Sequence, residues 1–330
     1  MAFVTSQPSS LTTVDDVAKH LREARSVLLA GHVNPDADAL GSCLAVAIAL
    51  EALGVPVRVT FPDDPFVVPA GLRFLPRLDL LVHPGDAAAE LVMSMDASSA
   101  DRLGRVMVVA EQASTFIAVD HHASFEPFAP LSLFDPSQPA TGMIALELVD
   151  VLGVPLGEDI ATCLYAAISS DTGSFKYPAT TSQAMRAGAR LMEAGIDFAG
   201  IARALFDTRS RSFIALQSAV LRDLEVLEVA GLTVAVARVP KSLRDQWHVD
   251  FTDVESLIDA VRTIAGIDVA VVLKQDDAGH WRVSTRSLGA ADVRAVCTRV
   301  GGGGHRLAAG FTGTRDDDET LAMFTEALGA

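Results

Sequence analysis

The sequence lacks any apolar run long enough to span a bilayer. Its most apolar segment, LAVAIALEAL at 44–53, is too short for that, and the opening residues MAFVTSQPSSLTTVDD hold no basic region and no long apolar stretch. A soluble, cytoplasmic protein without a membrane partner is the expectation. Cysteine is scarce: Cys43, Cys163 and Cys297 lie far apart, each inside an apolar helical pattern. That spacing excludes a thiolate metal site and leaves the three as small core residues. Positive charge is in deficit, with 26 Lys and Arg against 42 Asp and Glu and a formal net charge of -16. Such a chain repels polyanions at long range, which argues against coating long duplex DNA. A nucleotide partner is expected to be short or locally bound, although acidity serves solubility equally well. No repeat or low-complexity tract is present.

What is there is a hydrophobic half in 330 residues, enough for two cores. Four short runs rich in branched or apolar residues read as buried parallel strands: 26–30 (SVLLA), 57–61 (VRVTF), 91–95 (LVMSM) and 115–119 (TFIAV). Helical patterns at 40–53 and 140–152 each stop at a glycine followed by proline. This βαβ series predicts a doubly wound, mainly parallel α/β sheet. From 182 to 228 the pattern reads as helical throughout. Beyond it come a strand at 232–239, a helix at 254–264, strands VAVVLKQ and HWRVSTRS, and helices at 291–300 and 319–328. The expected organisation is a catalytic domain over 1–185, a helical connector over 186–228 and a smaller α/β domain over 229–330.

Three of the four predicted strands run directly into potential metal ligands: SVLLA into Gly31-His32, LVMSM into Asp96, and TFIAV into Asp120-His121-His122. In an open parallel sheet ligands bind beyond the carboxyl ends of strands, so these side chains should converge. A helical run at 161–170 breaks at Asp171-Thr172-Gly173, where another carboxylate can turn toward the same edge. Within HVNPDAD the Asn-Pro pair forbids immediate helix entry, which lets His32, Asp36 and Asp38 cluster in one loop. Carboxylates with imidazole suit manganese, with magnesium or cobalt as substitutes, and turn preference away from calcium. Asp36, Asp38, Asp96 and Asp171 match the charge of two divalent ions if His32 and His121 are neutral. Paired ions steady the attacking and leaving oxygens of a displacement at phosphorus, so phosphoester hydrolysis fits best.

A lone aspartate after a strand is far more often a cap or a solvated loop residue, with roughly one chance in ten of function. Four such segments together change the weighing. Asp120 is the exception, since it suits an acceptor that orients His121 or a neighbouring backbone at least as well as it suits a ligand. His20, His83, His248 and His280 lie outside the constellation and are assigned surface or structural roles.

At these residues the sequence resembles the DHH phosphoesterase superfamily, through GHVNPDADALGS, Asp96, Asp120-His121-His122 and Asp171-Thr172-Gly173 in that order. The resemblance implies that His32, Asp36 and Asp96 hold one manganese and that Asp38, Asp96, His121 and Asp171 hold the other, with Asp96 bridging. His122 would face the scissile phosphate, steadying its charge or protonating the leaving oxygen.

The segment GGGGHRLAAGF at 301–311 is similar to the signature of the DHH-associated C-terminal domain of nanoRNase/pAp phosphatases and RecJ-like exonucleases. Four glycines before a histidine and a small-residue helix leave backbone N–H groups open to a phosphate or base. Gly302, Gly303, Gly304, His305 and Arg286 are therefore the expected substrate-binding residues. The resemblance spans nearly the whole chain and implies hydrolysis of short RNA oligonucleotides and of pAp, with this domain closing over the nucleotide. Cyclic or linear dinucleotides are the alternative substrates. A manganese pyrophosphatase or an inactive nucleotide-binding module ranks below both, and a homodimer is compatible with the sequence.

Overall fold

The strands of the first half are buried on both faces, and their alternation assigns each residue to one side. The computed structural model describes residues 10–86 and 88–330, so most of the stretch read for a leader lies outside the described residues. Six strands, β1 (Ser10–Leu11), β2 (Val27–Ala30), β3 (Val57–Thr60), β4 (Leu91–Met95), β5 (Thr115–Asp120) and β6 (Leu131–Phe134), pair in parallel in the order β1-β6-β5-β4-β2-β3. Val27 and Leu29, Leu91 and Met93, and Ile117 and Val119 face a large core shared with the helices Ala37–Ala52, Thr141–Leu152 and Glu158–Asp171. Leu28 and Ala30, Val92, and Phe116 and Ala118 face a smaller core closed by Val106 and Ala110. Two covered faces explain why these strands read as unbroken apolar runs. Strand order reverses between β2 and β4, so the crevice for a ligand opens beyond their carboxyl ends. The doubly wound expectation holds.

The second sheet consists of β7 (Glu225–Val229), β8 (Leu232–Val239), β9 (Val269–Gln275), β10 (Trp281–Ser287), β11 (Gly303–His305) and β12 (Ala308–Thr312), ordered β11-β12-β10-β9-β8-β7. Its β8–β9 pair is parallel and the others are antiparallel. One face packs on Val293, Val296 and Phe324, the other on Phe213, Leu216, Leu257 and Ile258.

The chain divides at Thr208 into two compact units. Residues 186–228, expected as a connector, are shared out between them by their apolar faces. Ala184, Ala187 and Leu191 of the helix Ser182–Glu193 are buried in the core of the first unit. Phe213, Leu216 and Val220 of the helix Arg211–Arg222 are buried in the second.

Other local readings also differ. Residues 225–229 form a strand although 182–228 was expected to be helical. Ala230 and Gly231 both take positive φ, 52° and 79°, which makes a tight hairpin into β8. The small-residue stretch after His305 is also a strand, because β12 fills the place beside β10. The helix Val14–Glu23 and the strands β1 and β6 went unread. Among the described residues no helix is long and apolar enough to cross a membrane.

Candidate metal centre

His32 follows β2 through Gly31, Asp96 follows β4, and Asp120 ends β5 immediately before His121 and His122. Asp36 caps the helix Ala37–Ala52, its Oδ1 accepting from the Asp38 and Ala39 amides at 2.9 and 3.0 Å, and Asp38 stands in the first turn of that helix. Asp171 is the last residue of the helix Glu158–Asp171. The parallel topology gathers all of them at one sheet edge.

Two overlapping triads result, His32/Asp36/Asp96 and Asp38/Asp96/His121, each with one ligand atom per residue within 4.8 Å of the others. Asp96 belongs to both. Its Oδ2 lies 3.5 Å from His32 Nε2 and its Oδ1 lies 3.6 Å from His121 Nε2. Asp171 Oδ2 joins the second triad at 3.2 Å from His121 Nε2. The backbone at Asp96 takes φ 64°, an unusual conformation for a non-glycine residue that turns its carboxylate into the crevice.

Second partners fix the histidine tautomers. His32 Nδ1 stands 2.8 Å from the Val33 carbonyl and His121 Nδ1 stands 3.1 Å from the Gln138 carbonyl. Each Nδ1–H is thus donated to a backbone oxygen, which leaves Nε2 facing the carboxylates as the atom that would ligate a metal once its proton is displaced. Asp120 holds His122: its Oδ1 accepts from the His122 amide at 2.5 Å and lies 2.8 Å from His122 Nδ1. The bond from the neighbouring His122 amide is the backbone-acceptor role weighed for Asp120, and the same oxygen also reaches the His122 ring.

Electrostatics test whether these residues suit metal ions. Asp38 and Asp96 are buried. Burial, then Asp96 and Asp171, push the Asp38 carboxyl well above its ordinary range. Burial also works to raise Asp96, but His32, His122 and His121 outweigh it and hold it below the usual carboxylate range. Burial works to lower the His32 and His121 pKa values, yet the carboxylates beside each push both up to about 10. In the protein alone, protons on imidazole thus do the neutralising. Divalent ions can take their place and cancel the crowding of the carboxylates, so the donor set fits metal.

Sequence reasoning missed the residues that hold the carboxylates. Asp38 Oδ2 accepts from the Thr141 amide at 2.7 Å, and its Oδ1 from the Gly142 amide at 2.8 Å and the Ser42 hydroxyl at 3.2 Å. Thr141 Oγ1 donates to Asp96 Oδ1 at 2.9 Å. The visible signal was Ala140 at the start of a helix with no capping side chain of its own.

In the second unit the register places the other expected residues. Across β11, β12 and β10, His305, Ala308 and Arg286 stand in one row and Gly303, Gly310 and Ser284 in another. These rows share one face of the sheet, with glycine and alanine forming its floor. Gly302 and Gly304 are closely packed: a Cβ on Gly302 would meet Gly310 O at 2.2 Å, and one on Gly304 would meet Ala308 O at 2.5 Å. A Cβ on Gly303 would meet nothing within 4 Å. Lys274, also missed, is buried on β9 and donates from Nζ to Ser284 Oγ at 2.7 Å and to Glu255. A lysine in the apolar run VAVVLKQ was the available signal.

Comparison with known proteins agrees with this architecture. The DHH family, N-terminal domain, matches residues 26–168, and the DHHA1 domain matches residues 231–330. The chain is 32% identical to the bifunctional oligoribonuclease and PAP phosphatase NrnA of Thermus thermophilus over 288 residues, covering 87% of this chain and 83% of that protein. It is 27% identical to the probable bifunctional oligoribonuclease and PAP phosphatase NrnA of Streptococcus mutans, covering 91% and 93%. The solved structure of an exopolyphosphatase-related protein from Bacteroides fragilis shares the fold, with a TM-score of 0.84 at 24% identity over 96% of this chain and 95% of that one. Two domain matches in order and a 32% identical relative spanning most of both chains show that the chain belongs to the DHH phosphoesterase family, an N-terminal DHH domain followed by a DHHA1 domain.

Proposed function

We propose that the protein is a manganese-dependent phosphoesterase that hydrolyses short oligoribonucleotides to mononucleotides and removes phosphate from pAp. The observation that carries this reading is the sharing of Asp96 between two acid-histidine triads. Its substrate class is supported by the names of the similar proteins from Thermus thermophilus and Streptococcus mutans.

His32, Asp36 and Asp96 would hold one ion, and Asp38, Asp96, His121 and Asp171 the other. When bound, the pair supplies Lewis acidity toward the phosphoryl oxygens and a water acidified for attack. The remaining work falls to the chain. The Val33 and Gln138 carbonyls keep His32 and His121 in the ligating tautomer. Asp120 holds His122 through Nδ1, so that Nε2 is the atom that delivers a proton to the leaving oxygen. In the protein alone burial works against protonation of His122, but Asp120 and Asp96 outweigh it and raise its pKa. Arg286, His305 and the open backbone at Gly303 bind substrate phosphate or base.

The test compares a diribonucleotide, pAp, cyclic di-AMP and pyrophosphate as substrates, with manganese, with chelator, and for Asp96→Ala. Turnover of the diribonucleotide and pAp is expected, with loss on chelation. Asp96→Ala should fall by more than about a hundredfold, beyond what groups that only orient ligands contribute. Retained activity in that variant sinks the shared-carboxylate scheme, and cleavage of pyrophosphate alone reassigns the substrate.

A further inference from the structure

The segment after β3, Phe61-Pro62-Asp63-Asp64, lies outside both metal triads, yet it touches the loops that carry their ligands. The Asn34 amide, in the middle of the His32–Asp36 loop, points between both Asp63 oxygens at 3.1 Å from each. Asn34 has φ 53° and is followed by a proline, so neither residue can enter the hydrogen-bond ladder of a helix there. The Phe61 ring lies directly on Gly31, where an added Cβ would fall 2.2 Å from Phe61 Cε1. The Gly31 amide donates to the Thr60 carbonyl at 3.3 Å.

The same segment also reaches the loop after β4. Asp64 accepts from Arg105 at 2.6 Å, and Pro62 closes on Gly104, where a Cβ would stand 3.1 Å away. The Val33 amide completes the link by donating to the Arg102 carbonyl at 2.9 Å. The donors of the His32 loop are thus taken up by the segments after β3 and β4.

We infer that Asp63 is a positioning residue for the His32/Asp36/Asp96 triad, holding the loop that carries His32 and Asp36 against the segment after β3, whose next residue, Asp64, reaches the loop after Asp96 through Arg105. The inference rests on the metal reading above. Asp63 acts by accepting from one amide and touches neither ligands nor substrate. Without it the Asn34 turn is free to relax, and His32 and Asp36 shift together relative to Asp96. On the other side Asp38 and His121 have further holds of their own in Thr141, Gly142 and Gln138, so that side is expected to move less.

An aspartate that only stabilised the loop would lower the melting temperature and leave both ion affinities alike, which separates the two roles. The experiment is calorimetric titration of the full chain with Mn2+, for the unsubstituted protein, Asp63→Ala and Asp63→Asn, with thermal melts on the same samples. Asp63 is half-buried, so its truncation leaves both cores intact. Asp63→Ala is expected to weaken one of two ions by about tenfold, the low end for groups that orient ligands, and to leave the other within about threefold. Asp63→Asn, whose amide oxygen still accepts from Asn34, should return the weakened ion to within about threefold of the original. Unchanged affinities in Asp63→Ala overturn the inference alone. An asparagine variant as weak as the alanine variant overturns it too, because a long-range charge effect would then be the cause. Failure of the unsubstituted chain to take up two ions overturns the metal reading and this inference with it.

Discussion

Asp38 is bound by the first turn of a helix it does not belong to, through the Thr141 amide at 2.7 Å. Thr141 then donates its hydroxyl to Asp96 at 2.9 Å. One residue therefore holds carboxylates from two other elements, and the helix Thr141–Leu152, whose Ala140 offers no side-chain cap, takes its cap from Asp38. Capping interactions are worth about 1 kcal/mol, so the arrangement links the stability of this helix to the ligand geometry.

Thr141→Val keeps the amide bond to Asp38 and removes only the hydroxyl. Manganese affinity should fall by about ten- to a hundredfold, as for other groups that orient ligands, with Thr141→Ser restoring most of it. Isothermal titration of the three proteins decides this. Equal affinity in the valine variant would show that Asp96 holds its position without the hydroxyl.

The metal-free protein should lose stability as pH rises. The folded-state pKa values of His32 and His121, about 10, exceed the ordinary 6.5. Their stabilisation is therefore complete below about pH 6.5 and lost as pH climbs through about 10. Asp38, also raised, acts with the same sign. Chelated protein should melt at progressively lower temperature across that window, while manganese-loaded protein is protected. Ion uptake displaces the imidazole protons, so affinity should rise with pH, and proton release should appear in calorimetry as a dependence on the ionisation heat of the buffer. A chelated protein that gains stability between about pH 6.5 and 9 would contradict the assignment of these protons.

Asp120→Ala should spare ion uptake and damage turnover. Asp120 holds His122 through its ring and its amide, so its replacement leaves the proton donor poorly aimed. The expected loss in kcat is about a hundredfold, the lower range for general acid catalysis, with little change in KM. His122→Asn should lose at least as much. Steady-state kinetics at saturating manganese give the readout.

The glycines of the second unit should separate by face. Gly302→Ala and Gly304→Ala force a Cβ into Gly310 O and Ala308 O, and each should lower stability by about 1–3 kcal/mol through overpacking. Gly303→Ala meets no neighbour, so its melting temperature should stay near that of the original. If Gly303 borders the substrate, its alanine variant should instead raise KM for a diribonucleotide. Denaturant melts and kinetics on the same variants separate the two effects.

The first sheet was largely legible because its central strands are buried on both faces, which writes each as a continuous apolar run ending in a ligand. β6 escaped because four residues, LSLF, carry too little pattern, and β7 escaped because EVLEV follows a helix without a breaker. The segment 308–312 looked helical by its small residues, but pairing with β10 and β11 decides its conformation. Local propensity is a weak prior beside a ladder of tertiary hydrogen bonds.

By itself the sequence determined which acids and histidines gather at the carboxyl edge of the first sheet, since the strands of a parallel sheet all end on one side. The tertiary structure alone decided how they are held: that Asp120 serves His122, that Thr141 joins Asp38 to Asp96, and that Asp63 reaches Asn34. These pairs lie in different elements or depend on a rotamer. No local periodicity encodes a contact between residues 103 positions apart, such as Asp38 and Thr141.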